Sequence, residues 1–317
     1  MQRRFPLLSY CNSGYVVLGR LVEVLRGRPF DAVLRERLAD PLGLEHLATC
    51  AEEAILFRAA VGHIEREPGA GFTPTPVWAL PASNAPAGAR LAMSARDLLG
   101  FARMHLAGGL APDGTRVVSP EGIRAMAEPQ VALPDFGHGT HWGLGWELSG
   151  QCRPAVIGHD GSTNGQNAYL RIVPDAGVAV ALLTNGGNTL PLYQEIVGAI
   201  LAEHAGVRLP APPEPPARPR PVDPVRARGR YRSAMFDHVI DVDPAGRVWL
   251  ETMPRTDEAR LMPGPGRLEL VRLRDDALIT AEPHHGHHPV FALIGGDDHH
   301  GARYLHTSRA MPRRAGQ

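Results

Sequence analysis

The chain has 317 residues, of which 33 are basic and 33 are acidic, so its formal net charge is zero. This length allows one large and one small domain, each with its own hydrophobic core. The balanced charge offers no general attraction for nucleic acid or an anionic membrane surface, and nucleic acid is therefore not an expected partner. No segment has the about eighteen apolar residues of a membrane span. Three scattered cysteines predict neither a disulfide framework nor a thiolate metal site.

The first candidate functional segment is SYCNSGY, residues 9–15. Apolar side chains recur at helical spacing from Tyr15 to Leu25, which predicts a helix that Asn12 or Ser13 can cap. Tyr10 and Asn12 then stand at a helix N-terminus, where backbone N–H groups lack intrahelical partners and the helix dipole is positive. Such a position suits chemistry, although a capped helix alone would also explain the triplet.

Other helices are predicted from capping residues and apolar spacing at residues 30–39, 94–107, from 119 onward and 190–204. The first of these is expected to end before Pro41. Ser94 is the expected cap of the second, with Asp97 at the capping-box position. Residues 51–90 have many prolines and glycines but are too apolar for disorder, which predicts a long ordered loop of a kind that is often functional.

From residue 142 the pattern changes to that of strands, in the segments WGLGWEL, AVIG, QNAYLRIV and GVAVALLT. GVAVALLT is apolar at every position, so both faces of its strand are expected to be covered. The predicted helix at 190–204 is one candidate cover.

Residues 208–224 contain eight prolines and predict a polyproline linker. The linker divides the chain into a domain at 1–207 and a second domain at 225–317. Short strands and tight turns in the second domain indicate a small antiparallel barrel or sandwich.

The second candidate functional segment begins with GHDGSTNGQ at residue 158. Glycines on both sides of His159 allow another group to approach the backbone closely, and a strand pair follows at once. By itself, HDG would fit a hairpin edge with a surface histidine. His159, Asp160 and Ser162 do not form a local triad, because successive side chains of a strand point to opposite faces.

Five segments, in this order, carry a family resemblance: YCNSGYVVLGRLVEVLRGRPF, DPLGL, PAGARLAMSARDLLGFARMHLAGG, GLGWEL and GHDGSTNGQ. Together they resemble the serine β-lactamase-like superfamily over roughly residues 5–205, with class C β-lactamases, DD-peptidases and related esterases as the most similar branch. The resemblance implies an α+β fold of the β-lactamase/transpeptidase type, with an antiparallel sheet flanked by helices, followed by a small all-β domain. It also implies acyl-enzyme hydrolysis of a small-molecule or peptide acyl substrate (an ester, peptide or lactam), without a cofactor.

The resemblance assigns roles to matched residues. Tyr10 resembles the tyrosine that takes the proton of the nucleophile and returns it to the leaving group. Asn12 resembles the asparagine that hydrogen-bonds the acyl amide of the substrate. His159 and Gly161 occupy the positions of a Lys-Thr-Gly motif on the strand that lines the cleft, and the backbone N–H of Ser162 resembles an oxyanion-hole donor.

One departure from the family affects the mechanism. The family nucleophile is the serine of an S-x-x-K motif that precedes the Tyr-x-Asn triplet, whereas this sequence contains no lysine at all. We therefore expect that the family's N-terminal part is missing, which would leave apolar strands without cover and a sheet edge open. The alternative is a catalytically inactive pseudo-enzyme, or a binding module for peptidoglycan-like peptides or a protein partner.

Two weaker features have structural interpretations. The histidine-rich segments at 283–289 and 297–300 could bind a metal, but neither has a diagnostic spacing, and solvated turn residues are the preferred interpretation. No metal is therefore expected. Cys11 has no sign of activation and is interpreted as a packing residue.

Overall fold

The computed structural model describes residues 7–65, 69–78, 80–134, 139–150, 152, 155–260, 266–284, 286–296 and 301–314. The chain divides into two compact units. The sheet unit consists of Cys11–Leu133 and His138–Leu209. The barrel unit consists of Met1–Tyr10, Pro134–Gly137 and Pro210–Gln317.

The sheet unit alternates helices with short strands before its main sheet. Its helices are α1 Asn12–Arg26, α2 Phe30–Leu34, a π-helical turn Arg35–Ala39, α3 Asp40–Leu42, α4 Ala51–Ala54, a 3-10 helix Ala82–Ala87, α5 Ala95–Leu106, α6 Pro120–Ala127, a 3-10 turn Pro174–Ala176 and α7 Thr189–Ala205. Its strands are β1 Leu47–Ala48, β2 His63–Glu65, β3 Phe72–Pro74, β4 Ala92–Met93, β5 Val131–Ala132, β6 His141–Trp142, β7 Glu147–Ser149, β8 Val156–Thr163, β9 Gln166–Val173 and β10 Val178–Thr184.

The main sheet is antiparallel and, in the described part of the chain, has six strands in the order β10-β9-β8-β7-β6-β5. One face packs against α5, where Ala102 joins Trp146, Ile157 and Ile172 in a buried cluster. The other face packs against α7 through a second cluster of buried apolar residues. This helix–sheet–helix layering confirms an antiparallel sheet flanked by helices.

Strand β10 confirms the expectation that both of its faces are covered. Val178, Val180 and Leu182 pack in the cluster on the α7 side, whereas Ala179 and Ala181 pack in the cluster on the α5 side. The alternation follows from the two-residue period of a strand.

The start of α1 differs from the prediction. Its N-cap is Cys11, and no side chain caps the first turn, so capping by Asn12 or Ser13 is wrong. The helix already begins at Asn12, so Asn12 and Ser13 lie inside its first turn and cannot be the N-cap. Cys11 is exposed, so its interpretation as a packing residue is also wrong.

The apolar face of α1 is exposed to solvent in the described structure. Leu18, Leu21 and Leu25 are 54%, 50% and 73% exposed. The buried residue of this helix is Gly19, where the backbone lies so close to the 3-10 helix Ala82–Ala87 that an added Cβ would overlap the ring of Pro86.

Two of the other helices have the serine N-caps that the sequence predicts, but the capping box is wrong, because Asp97 Oδ2 accepts a hydrogen bond from the His46 N–H at 2.6 Å rather than from the Ser94 N–H. Ser94 Oγ accepts a hydrogen bond from the Asp97 N–H at the start of α5, and Ser119 Oγ accepts one from the Gly122 N–H at the start of α6. The predicted stop before Pro41 is wrong. The backbone of Ala39 and Asp40 is helical, so the helix continues from the π-helical turn through Pro41 to Leu42.

The barrel unit contains a closed antiparallel barrel, so the sandwich alternative does not apply. Its elements are α8 Pro224–Ala227, β11 Gly229–Arg232, β12 Phe236–Val242, β13 Val248–Pro254, α9 Asp257–Arg260, β14 Arg267–Arg274, β15 Ala277–Thr280, β16 Val290–Ile294, β17 Tyr304–His306 and β18 Ala310–Arg314. Alternate side chains of these strands fill the interior, with Tyr231, Leu250 and Leu305 almost fully buried.

The described N-terminal residues pack on this barrel. The Tyr10 N–H donates a hydrogen bond to the Ser308 carbonyl at 2.9 Å, and His306 Nε2 donates one to the Leu8 carbonyl at 2.8 Å. His306 is therefore a buried structural residue.

The histidine-rich tail lies partly outside the described residues, which exclude positions 285 and 297–300. His284 and His287 form an isolated bridge, and His288 Nδ1 donates to the Thr280 carbonyl at 2.8 Å. Among the described residues, no cluster of His, Cys, Asp and Glu is arranged to hold a metal ion. Within the same part of the chain, no helix has the length and apolar character needed to cross a membrane.

The contact between Gly19 and Pro86 predicts that α1 cannot accept a side chain at position 19 without loss of stability. Gly19→Ala should destabilise the sheet unit by about 1–3 kcal/mol, because the new methyl group meets a rigid ring. Gly14→Ala is the matched control, since nothing lies within 4 Å of its added Cβ, and it should be neutral or stabilising by up to about 1 kcal/mol. Urea unfolding of both variants measures the difference, and equal stabilities would contradict the prediction.

Candidate active site

Strands β8 and β9 form the hairpin that carries the GHDGST segment. Pairing of β8 with β7 ends at Gly158, while pairing with β9 continues to Thr163. In the described part of the chain, Gly161 and Ser162 therefore have a strand partner in β9 only. Both residues are exposed, so one edge of the strand is accessible to a molecule that can hydrogen-bond to its backbone.

His159 packs against the side chain of Trp142. Its ring meets the ring of Trp142 edge to face, with centroids 5.6 Å apart. Burial lowers the pKa of His159, although the neighbouring Asp160 opposes that effect. The imidazole is accordingly neutral at pH 7. Gly161 follows on the same face of the strand, because side chains alternate.

Asp160 lies on the opposite face and is held by a buried arginine. Arg171 Nη1 donates to Asp160 Oδ1 at 2.6 Å and Nη2 donates to Oδ2 at 3.1 Å. Arg171 Nε donates to the Tyr193 hydroxyl of α7 at 2.9 Å. Paired charges of this kind are tolerated inside a protein because their hydrogen bonds replace those lost with water. Asp160 is therefore a structural partner and is not available to His159.

Glu147 of β7 adds a second carboxyl group to this cluster. Burial and the adjacent Asp160 carboxylate raise the pKa of Glu147 to about 8, and Arg171 only partly opposes this rise. Ionising both carboxylates near a single guanidinium costs free energy, because the two negative charges repel each other. Glu147 consequently carries its proton at neutral pH.

The segment at 51–90 docks at the end of the β8–β9 hairpin. Gln166 Nε2 donates to the Ala60 carbonyl at 2.8 Å, and Asn164 Nδ2 donates to the Val77 carbonyl at 3.1 Å. The His63 N–H donates to the Asn185 carbonyl at the end of β10 at 2.8 Å. The described residues of this segment thus border the accessible part of β8. They include α4, β2, β3 and a 3-10 helix, so the segment is not the single long loop that the sequence predicts.

The structure brings some of the predicted site residues together. His159, Gly161 and Ser162 share strand β8. Asn12 belongs to the sheet unit and is exposed as the first residue of α1. Tyr10 belongs to the barrel unit, where the guanidinium of Arg309 lies 5.4 Å from its ring centroid.

Sequence reasoning missed Trp142, Glu147 and Arg171. A signal existed for Arg171, because a charged residue between two apolar residues of a buried strand requires a partner of opposite charge. A comparable signal existed for Glu147 in WGLGWEL. Trp142 had no such signal, since its contact with His159 depends on the order of the strands.

The comparisons with known proteins agree with this fold. The family model described as Beta-lactamase matches residues 6–205. This chain therefore belongs to the Beta-lactamase family, a class of serine hydrolases with the β-lactamase/transpeptidase fold.

Individual relatives agree with the assignment. Penicillin-binding protein 4 of Amycolatopsis lactamdurans is 45% identical over 228 residues, which cover 71% of this chain and 59% of the relative. The crystal structure of SurE superposes with a TM-score of 0.70 at 26% identity, covering 97% of this chain and 69% of that one. The octameric penicillin-binding protein homologue from Pyrococcus abyssi shares the fold, with a TM-score of 0.56, 20% identity, and coverage of 99% and 66%. The chain thus spans 59% of the length of its curated relative.

The protonated Glu147 predicts a pH dependence of stability. Its pKa of about 8 in the folded state exceeds the unfolded value of 4.5, so the folded state holds the extra proton between these values. The stabilisation is complete below the unfolded pKa and is lost as the pH rises through the folded pKa. Glu147→Gln should remove this loss and gain on the order of 1–3 kcal/mol over wild type between pH 5 and pH 9.

Chemical unfolding at several pH values measures this effect. Glu203→Gln, at an exposed position of α7, is the matched control and should follow the wild-type profile. Parallel profiles of Glu147→Gln and wild type would show that Glu147 is ionised in the folded protein.

Proposed function

We propose that this chain supplies the substrate-orienting groups of a serine acyl hydrolase that acts on esters or peptides in preference to β-lactams. Tyr10 carries the proton between the nucleophile and the leaving group, and Asn12 orients the acyl amide. His159 and Gly161 line the cleft, and the backbone N–H of Ser162 donates to the developing oxyanion. These roles follow from the family membership together with the matched residues.

The observation that carries the proposal is the accessible edge of β8. Its pairing with β7 ends at Gly158, and Gly161 and Ser162 beyond this point are exposed. An extended acyl substrate can add to such an edge through main-chain hydrogen bonds. Backbone N–H groups fixed on a strand also suit an oxyanion, because they need no reorganisation during the reaction.

The nucleophile has to come from residues outside this sequence. The 317 residues contain no lysine and hence no S-x-x-K motif. The groups that are present can orient and polarise a carbonyl, but a neutral imidazole beside Trp142 does not replace an activated serine. We therefore propose that the complete hydrolase includes a further segment that carries the serine and the lysine.

The missing lysine also favours a second candidate, an inactive binding module that retains the cleft for peptidoglycan-like peptides or a protein partner. Both candidates predict binding by this chain. They differ in whether a polypeptide with an S-x-x-K motif restores turnover. This chain can be co-expressed with such a segment, or produced as one polypeptide with it. Turnover of an ester or peptide would then support the hydrolase, and its absence would support the binding module.

One prediction of this proposal concerns the present chain by itself. It should not hydrolyse nitrocefin or p-nitrophenyl esters above background, because no group in it can form the acyl-enzyme. Spectrophotometric turnover and mass spectrometry after incubation with a penicillin or a fluorophosphonate measure this. Stoichiometric covalent labelling would refute the proposal that the nucleophile lies elsewhere.

Another prediction of this proposal concerns a longer form that carries the serine and the lysine. A lysine at the third motif places a fixed positive charge near the carboxylate of a β-lactam, whereas burial lowers the pKa of His159 and keeps it neutral. His159→Lys should therefore raise the ratio of kcat/KM for a penicillin to that for a short acyl ester by about tenfold or more. His204→Lys, at an exposed position of α7, is the control and should leave the ratio unchanged. A wild-type preference for penicillin would contradict the proposed specificity.

A further inference from the structure

The barrel unit contains a cavity of about 400 Å³ where the turn after β11 meets β18. Its described lining includes four arginines and no carboxylate, in a chain whose formal net charge is zero. The polar groups that line it are Ser9, Arg232, Ser233, Arg255, Arg309 and Arg314. This is a local concentration of guanidinium groups that the composition does not explain.

One carboxylate behind the cavity compensates only part of this charge. Arg232 donates to Asp237 through Nε at 2.7 Å and through Nη2 at 3.1 Å. Arg230 and Arg255 approach the same carboxylate at 3.7 Å each. The hydrogen bond from Arg232 lowers the pKa of Asp237, so Asp237 is ionised and supplies one negative charge to three guanidinium groups.

Arg309 and Arg314, the two other arginines of the lining, increase the excess of positive charge. Arg314 is the cross-strand partner of Arg230 between β18 and β11, and like charges directly opposite each other destabilise a sheet. Arg309 lies over the ring of Tyr10. Among the described residues, neither Arg309 nor Arg314 forms an ion pair with a carboxylate, and both side chains are accessible.

The chemistry of these groups defines the ligand they fit. A guanidinium presents parallel N–H donors that match the oxygens of a carboxylate or a phosphate. A cavity of about 400 Å³ has the size of a small-molecule site and exceeds what a bare inorganic ion fills. We propose that this pocket of the barrel unit binds a small organic anion whose head group is a carboxylate or a phosphate, held by Arg309 and Arg314.

The proposal is tested on the full chain by calorimetry at low ionic strength. The probes are glutarate for the carboxylate, phenyl phosphate for the phosphate, and glutaramide as the uncharged counterpart of glutarate. At least one anion should bind and glutaramide should not. The double variant Arg309→Gln/Arg314→Gln should weaken binding of that anion at least tenfold, and the anion that responds identifies the head group.

Arg303→Gln is the matched control, because Arg303 is an exposed arginine of the same unit that does not line the cavity and stacks on Tyr304. It should leave the affinity unchanged, and circular dichroism should show that all variants are folded. Absence of binding by both anions at millimolar concentration would overturn the proposal. An equal loss of affinity in the control and the double variant would also overturn it. The measurement requires no turnover, so its outcome is independent of the proposed function.

Discussion

The geometry of the candidate site depends on the ion pair between Arg171 and Asp160. Arg171 lies opposite Gly158 in the register of β8 and β9, and its side chain crosses that glycine to reach Asp160. A Cβ at position 158 would overlap the Leu170 carbonyl oxygen and would lie 2.8 Å from Cδ of Arg171 and 2.9 Å from its Nη1, so it would collide with the backbone of β9 as well as with the arginine. A slip of one residue would bury His159 on the α7 side and expose the charged pair. Gly158, the first glycine of GHDG, therefore leaves the space through which Arg171 reaches Asp160. The ion pair lies on the face of β8 opposite His159 and so keeps His159 on the other face.

The same cluster explains why a local triad cannot form on β8. The two oxygens of Asp160 both accept hydrogen bonds from Arg171, and Tyr193 of α7 completes the arrangement. The imidazole of His159 is on the other face, against Trp142. The described part of β8 is thus a sheet edge with exposed backbone at Gly161 and Ser162, next to a neutral imidazole that packs on Trp142.

The two units distribute charge and apolar surface differently. In the sheet unit, the described structure leaves Leu18, Leu21 and Leu25 of α1 exposed, although their spacing is that of a packing face. In the barrel unit, the core is well buried, and the unusual feature is the excess of guanidinium groups around Asp237. The sheet unit therefore exposes an apolar helix face, and the barrel unit exposes accessible guanidinium groups.

The sequence by itself indicated the family and several of the helices and strands. The order of five motifs indicated the β-lactamase-like fold, and local capping chemistry located α5 and α6, because Ser94 and Ser119 bond N–H groups only three residues away. Such signals depend only on residues close together in sequence, so they can be read without knowledge of the tertiary fold. The tertiary structure decided what depends on distant partners: the cap of α1, the passage of the helix through Pro41, the closure of the barrel and the packing of residues 7–10 on it. It also decided the pairing of Arg171 with Asp160, the proton on Glu147 and the arginine-lined cavity, since these arise where strands far apart in sequence meet and no short-range pattern encodes which ones do.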